Sequence, residues 1–305
     1  MLTAGLGTRL QPLTSWRAKP ALPVAGTTLI ERILKGLASQ GVRDLVLNLH
    51  HLPETITMVL GDGSAHGVRI RYSYEQPLLG SGGGPRRAFD LVEDDRLLLV
   101  NGDTLARVDL QAMAASHTAT RALVTMAVIP NPDPTHYSGV LIDGTDTVTG
   151  FSRRGSAEPS WHFVGTQLVE REAFARVEDG VRSESVNGLY PQLIAEKRGA
   201  VRVFRTDIPF LDIGTTSDYL DACLTLAGAP DAAALRGVRT SVAADATLHE
   251  TVLWDDVTVA ARARLTRCVV TSGTSIPADF SAERQVIEPS STGELRLTPI
   301  ARPIA

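Results

Sequence analysis

The chain has 305 residues, 43% of them hydrophobic and 21% charged, with 26 glycines and 17 prolines. That is globular composition at a length suited to one large domain with an appendage, and it excludes collagen-like, low-complexity and long disordered chains. Thirty basic against 34 acidic side chains leave a net charge of −4, without the basic excess that marks binders of nucleic-acid phosphates.

The two cysteines, Cys223 and Cys268, have no partnering spacing, so neither a disulfide framework nor a zinc module is expected. No apolar run approaches the ~20 residues that span a bilayer, and Met1 to Gly5 has neither the n-region nor the h-region of a signal peptide. The expectation is a cytoplasmic protein with no membrane and no nucleic-acid partner. Only Lys19, Lys35 and Lys197 are lysines among the 30 basic residues, so a lysine inside a motif is informative.

In chain order, Thr28-x-x-Glu31 reads as a capping box, and Leu29, Ile30, Ile33, Leu34 and Leu37 form one helical face that Gly41 closes. Leu45–Leu49 reads as a strand. A short helix from Pro53 ends at Gly61-Asp62-Gly63. Val68–Tyr74 alternates as a strand, Pro85–Leu91 looks helical, and Leu97–Val100 reads as a central strand buried on both sides. Further strands are expected at Leu123–Ile129, Gly139–Ile142, Phe163–Val169 and Val201–Phe204, with helices over Ser183–Glu196 and Ser217–Leu226. Alternating strands and helices imply an α/β fold: a Rossmann-like, mixed and mainly parallel sheet with helices on both faces.

From Val242 small and aliphatic residues fall into a six-residue frame, as in a short β-helix. Its repeats suggest two coils, with Val242, Leu248, Val252 and Leu265 facing inward. This predicts a main domain over residues 1–228, a β-helix-like segment over 238–287 and a surface-laid tail over 288–305. An open coil end needs covering, which points to a homodimer or to packing on the chain's own first domain.

The richest signal is the opening, Leu2-Thr3-Ala4-Gly5-Leu6-Gly7-Thr8-Arg9-Leu10, followed by Lys19-Pro20. A glycine-rich turn after a first strand brings backbone N–H groups close to a phosphate. Leu10 at the third glycine position excludes the dinucleotide fingerprint, and no Gly-Lys-Ser/Thr follows to make a Walker loop. Arg9 offers a planar fork suited to β- and γ-phosphates, and Lys19 a compact charge. Asp103 ends a buried strand, where ligands of open α/β sheets bind. Asp212, shortly before a glycine, is expected to be a loop carboxylate. Hard Mg²⁺ takes one or two such groups.

The full spelling resembles the signature of sugar-1-phosphate nucleotidyltransferases. Leu79-Gly80-Ser81-Gly82-Gly83-Gly84, Val100-Asn101-Gly102-Asp103 and Leu211-Asp212-Ile213-Gly214-Thr215 follow in that family's order, and a C-terminal β-helix also recurs in it. The C-terminal coils are then expected to be left-handed. The Gly-Asp-Gly-Ser at 61–64 and the triple glycine at 82–84 look most like the N-acetylmuramate 1-phosphate uridylyltransferase branch and its mannose- and heptose-1-phosphate guanylyltransferase relatives.

The resemblance implies nucleotidyl transfer from a nucleoside triphosphate, UTP or GTP, to a sugar 1-phosphate, with Mg²⁺ held by Asp103 and Asp212 and with Arg9 and Lys19 catalytic. Ala4, Gly5, Gly7, Thr8, Gln76, Gly82, Gly83 and Asn101 would bind the nucleotide. Gly139, Arg153, Arg154 and Gly165 would bind the sugar phosphate.

Two departures stand out. The family's Glu-Lys-Pro after the mid-chain hairpin is replaced by Ser152-Arg153-Arg154, so an arginine takes the lysine's charge role. Met1-Leu2-Thr3 is short for a central strand, which points to a start upstream. The alternative function is a non-catalytic, nucleotide-sugar-sensing relative, which would be expected to lose an aspartate or the Arg/Lys pair; all four residues are present.

Overall fold

Strands and helices frame the described residues, which in this computed structural model are 1–228, 235–290 and 292–300. The chain divides into two units. The first comprises Met1–Gly5 and Ile33–Leu211, and the second comprises Leu6–Arg32 with the chain from Asp212 onward. The signature loop from Leu6 thus groups with the chain from Asp212 onward.

Helix α1 (Leu29–Ser39) runs across the boundary between the units and opens on the expected capping box. The Thr28 N–H donates to Glu31 Oε2 at 2.9 Å and the Glu31 N–H to Thr28 Oγ1 at 3.3 Å.

In the first unit, β1 (Asp44–Leu49) and β2 (Arg69–Tyr74) pair in parallel around α2 (Pro53–Leu60). Helix α3 (Gly80–Ala88) leads to β3 (Arg96–Val100), and α4 (Leu110–Thr120) to β4 (Val124–Pro130). The hairpin β5 (Gly139–Ile142) and β6 (Val148–Ser152) is antiparallel. Strand β7 (Trp161–Glu170) enters antiparallel to both β3 and β4. A π-helical turn at Ser185–Leu189 runs into α5 (Tyr190–Glu196), and β8 (Val201–Arg205) pairs in parallel with β4. The expected first strand is a single residue: Leu2 bridges in parallel to Asn48 on one side and Asn101 on the other.

Alternation along the central strands builds a core on each face of the sheet. Val124, Met126 and Val128 share one cluster with Leu99, Phe89, Phe174 and Tyr190. Ala127 and Ile129 face the other way, toward Met113 of α4, Val164 and Leu168. Leu97 packs against the first cluster and Leu98 against the second, so β3 is covered on both sides as its apolar run predicts.

In the second unit, 3₁₀ turns at Thr8–Leu10, Leu13–Ser15 and Lys19–Ala21 lead to a small hairpin of Pro23–Val24 with Thr27–Thr28. Helix α6 (Thr216–Ala227) opens on a capping box between Thr215 and Asp218.

The C-terminal segment is β-helix-like, with its strands stacked three deep rather than in two coils. The rungs align Ser241 with Thr258 and Ser275, Thr247 with Arg264 and Ser281, and Val252 with Val269 and Val286. Partners are 17 residues apart, so one side in three is a residue shorter than the six-residue frame. That shift puts Leu253, Val270 and Ile287 in the coil core, while Val252 is buried outside that cluster. Val242, Leu248 and Leu265 face inward as predicted.

Left-handed corner residues recur at the same 17-residue interval, among them Arg239, Asp256 and Gly273, and then Arg262 and Asp279. Arg239 pairs with Asp256 at 2.5 Å and Arg262 with Asp279 at 2.7 Å, tying successive turns together. The expected tail from residue 288 is instead partly sheet. Gln285–Pro289 pairs antiparallel with Leu295–Pro299, because the last coil strand presents an edge that a returning strand can satisfy. Residues 291 and 301–305 of that tail lie outside the described residues.

Candidate active site

The second unit carries the signature loop. Gly7 takes a left-handed conformation (φ +63°), which a side chain disfavours, and a Cβ there would lie 2.7 Å from Thr14 Cγ2. Its carbonyl accepts from Thr14 Oγ1 at 2.9 Å. Lys19 opens the third 3₁₀ turn, with its Cβ 3.5 Å from the same point at Gly7. The glycine thus lets the loop fold back beside the lysine. Thr8 and Arg9 are exposed and Lys19 is half-buried.

Asp212 ends the strand Phe210–Asp212, and Gly214 follows just before α6. The space a Gly214 Cβ would fill is already bounded by charge. Asp218 Oδ2 lies 3.2 Å from it, Asp212 Oδ2 3.3 Å and Arg9 Nη1 3.4 Å. Two residues from opposite ends of the expected site, Arg9 and Asp212, therefore meet at one glycine. Asp218 is also committed to the cap, accepting from the Thr215 N–H at 2.8 Å.

The first unit holds the other expected residues. Ala4 is buried and Gly5 exposed. The Asn101 N–H donates to the Gly165 carbonyl at 2.7 Å. Gly165 has φ +78° beside a register shift in β7, and a Cβ there would sit 3.0 Å from that of Asn101. Asp103 is half-buried at the end of the β3 turn and accepts from Thr104 Oγ1 at 3.2 Å.

The second glycine run forms the first turn of α3 rather than a loop. Gly82 and Gly83 are buried, and the Gly82 N–H donates to the Ser183 carbonyl at 2.7 Å. Gln76 lies exposed, ahead of this turn.

Gly139 and Arg153 line one cavity of about 760 Å³ with Phe151, His162, Phe163 and Asn187. Arg154 is exposed, and neither it nor Gly165 is on that lining. His162 stacks near Tyr137 (4.3 Å between ring centroids) and Phe210 (4.8 Å). Its Nδ1 is buried without a hydrogen-bond partner, and burial pushes its pKa down to about 4.

Sequence reasoning missed the groups that fix these loops. Asn48 Oδ1 accepts from the Thr3 N–H at 2.6 Å, its amide donates to Glu75 Oε1 at 2.7 Å, and Glu75 Oε2 accepts from the Leu79 N–H at 2.8 Å. A buried chain thus joins the start of the signature to the start of α3. The available signal was one asparagine inside the otherwise aliphatic Leu45–Leu49 run. Ser81 likewise ties α3 to the π-turn, donating to Glu184 Oε2 at 2.9 Å and accepting from the Ser185 N–H at 2.9 Å.

Among the described residues no three His, Cys, Asp or Glu side chains converge as a metal cage. Asp103 and Asp212 are hard oxygen donors, each near the end of a strand. One or two carboxylates completed by water and phosphate oxygens is the donor set Mg²⁺ prefers, and each of these side chains is a donor of that kind. No described helix is long and apolar enough to cross a membrane.

Residues 1–228 match a family model described as nucleotidyl transferase. The mannose-1-phosphate guanylyltransferase of Mycobacterium tuberculosis is 30% identical over 241 residues, covering 78% of this chain and 67% of that protein. The N-acetylmuramate alpha-1-phosphate uridylyltransferase of Neisseria meningitidis serogroup B is 34% identical over 235 residues, covering 75% of this chain and 97% of that protein. HddC from Yersinia pseudotuberculosis, crystallised in complex with GMP-PN, matches the fold with a TM-score of 0.65 at 23% identity, over 74% of this chain and 97% of its own.

Proposed function

Because this chain belongs to the nucleotidyl transferase family, we propose that it couples a nucleoside triphosphate to a sugar 1-phosphate, forming an NDP-sugar and releasing pyrophosphate. The observation that carries this reading is the charge cluster around Gly214, where Arg9 of the signature loop meets Asp212 of the late motif. A phosphate oxygen of the sugar 1-phosphate attacks the α-phosphorus, the bond to the β-phosphate breaks in line, and pyrophosphate leaves. Positioning and charge neutralisation supply most of such catalysis.

In this reading Arg9 grips the β- and γ-phosphates with its fork, and Lys19 sets a compact charge by the α-phosphate. Ala4, Gly5, Gly7 and Thr8 bring the backbone to the triphosphate. Gln76, Gly82, Gly83 and Asn101 face the nucleoside. Gly139, Arg153, Arg154 and Gly165 receive the sugar phosphate. Asp103 and Asp212 would hold Mg²⁺, which when bound neutralises charge on the transferring phosphates. A cytoplasmic location and a homodimer complete the reading.

The donor is UTP or GTP, as the names of the relatives in both guanylyl and uridylyl classes suggest. The acceptor is an N-acetylmuramate, glucosamine-type, mannose or heptose 1-phosphate destined for cell-wall or glycan precursors. Pyrophosphate release from a panel of nucleoside triphosphates against sugar 1-phosphates tests this. The expected result is one strongly preferred pair with UTP or GTP. No release from any pair would refute the assignment.

A further inference from the structure

The β-helix segment is joined by side-chain contacts to the stretch that carries Arg9 and Lys19. Arg17, two residues before Lys19, reaches Asp255 of the coil at 2.8 Å and lies over the Trp254 ring, 5.5 Å from its centroid. Asp255 is itself held, because its Oδ1 accepts from the Val238 N–H at 3.0 Å. Gly237 packs so closely that a Cβ would meet the Asp255 carboxylate at 2.6 Å.

A second link runs through the core of the same unit. Trp254 is 1% exposed and donates Nε1–H to Tyr219 Oη at 2.9 Å. The Tyr219 hydroxyl donates in turn to the Pro23 carbonyl at 2.5 Å, just beyond the Lys19–Ala21 turn. A third link ties α6, which follows Asp212 and Gly214, to the coil: Arg267 bonds Asp221 Oδ1 at 2.5 Å and also pairs with Glu250.

These are directional polar bonds. Two end on the chain flanking Lys19, at Arg17 before it and Pro23 after it, and the third on the helix after Asp212. A pure oligomerisation module would have no reason to make them. We propose that Trp254 and Asp255 are positioning residues for nucleotidyl transfer, fixing the 6–22 stretch that presents Arg9 and Lys19. The coil therefore serves the chemistry as well as any assembly. This proposal rests on the reading of Arg9 and Lys19 as phosphate-binding groups. Its physical basis is that a small misplacement of such groups can cost up to ~10²-fold in rate.

Asp255→Asn removes the charge facing Arg17 while keeping the Oδ1 acceptor for Val238. Trp254→Phe removes the donor to Tyr219 together with part of the buried ring beneath Arg17, so its exchange and kinetics are read against its own melting point. Each is measured for kcat and for KM of both substrates, for thermal midpoint, and for deuterium uptake of the 6–22 peptides. The expected result is faster exchange in 6–22, a roughly three- to tenfold fall in kcat/KM for the nucleotide, an unchanged KM for the sugar phosphate and a near-native melting point. Asp255→Glu should recover most of the loss.

Unchanged exchange, faster exchange with unchanged turnover, or a rise in KM for the sugar phosphate as large as that for the nucleotide would each overturn the positioning role. Absence of pyrophosphate release from the unmodified protein with every substrate pair would refute the functional reading instead. Deuterium uptake would still decide whether the coil orders the loop.

Discussion

Asn48 donates its side-chain amide to the Glu75 carboxylate at 2.7 Å, with both residues buried between β1 and the start of α3. A Cβ on Gly84 would lie 2.6 Å from Glu75 Oε1 and 2.8 Å from Asn48 Nδ2. Glu75→Ala should leave the Asn48 amide and the Leu79 N–H unsatisfied at a cost of about 2–4 kcal/mol. Gly84→Ala should cost about 1–3 kcal/mol by forcing the pair apart. Denaturant midpoints read both, and a shift of less than a few tenths of a kcal/mol in Glu75→Ala would show the chain to be dispensable.

Gly83 is enclosed as closely, since a Cβ would meet the Val181 carbonyl at 2.7 Å. Gly83→Val should therefore lose stability together with nucleotide affinity. If the proposed nucleoside site lies at this turn, affinity for the triphosphate measured by calorimetry should fall more than affinity for the sugar phosphate. Equal losses would locate the base elsewhere.

Asp103→Ala and Asp212→Ala should each lower turnover by ~10²-fold or more while preserving the fold, because each removes charge compensation from the phosphates. Lys19→Ala should slow turnover and weaken triphosphate binding. Lys19→Arg should recover only part, since a planar fork does not replace a compact ammonium. Steady-state rates across a Mg²⁺ titration distinguish these cases: near-normal turnover of an aspartate variant at saturating Mg²⁺ would remove that residue from the metal site.

Much of this architecture is legible where local and tertiary demands agree. The capping box before α1 and the aliphatic runs of β1, β3 and β4 are examples. Glycine is a poor helix former, so Gly80–Gly84 spells a loop. It is helical because only bare backbone can close against Ser183, a contact across a hundred residues. Helix α4 carries alanines on all its faces, so the inward Leu110, Met113 and Ala114 do not stand out from the sequence as a stripe. Its start is marked only by Asp109, which accepts from the Ala112 N–H at 3.0 Å. Of the candidate site, the charged residues were readable from their motifs. Their supports, Arg17 with Asp255 and Asn48 with Glu75, were not, because nothing local distinguishes a buttressing side chain from a solvated one.

Two histidines set an acid-side limit. Burial lowers the pKa of His162 from 6.5 to about 4, and burial also lowers that of His117 despite its hydrogen bond to Glu170. Well above pH 6.5 neither group changes the folding balance. As pH falls from 6.5 toward 4 the unfolded chain takes up protons that the folded His162 refuses, so stability must decline across that window. His162→Phe should flatten the decline while keeping the contacts with Tyr137 and Phe210. Denaturant midpoints at pH 7 and pH 4.5, within the ~4–6.5 window of this linkage, provide the test, and identical slopes in wild type and variant would exclude His162 as the source.

Removing residues 238–305 is the severest test of what the coil does. If it served assembly alone, the truncated chain would differ mainly in mass distribution by light scattering and would keep its turnover. The bonds from Trp254 to Tyr219 and from Asp255 to Arg17 give a different expectation. Tyr219 is fully buried, and its removal from Trp254 would open a large aromatic surface on α6 to water. Burying an aromatic side chain of this size contributes roughly 2–3 kcal/mol. The truncated protein should therefore be less stable, and any soluble fraction should bind the triphosphate more weakly than the full chain. Full nucleotide affinity in a soluble, monodisperse truncation would return the coil to a role in assembly only.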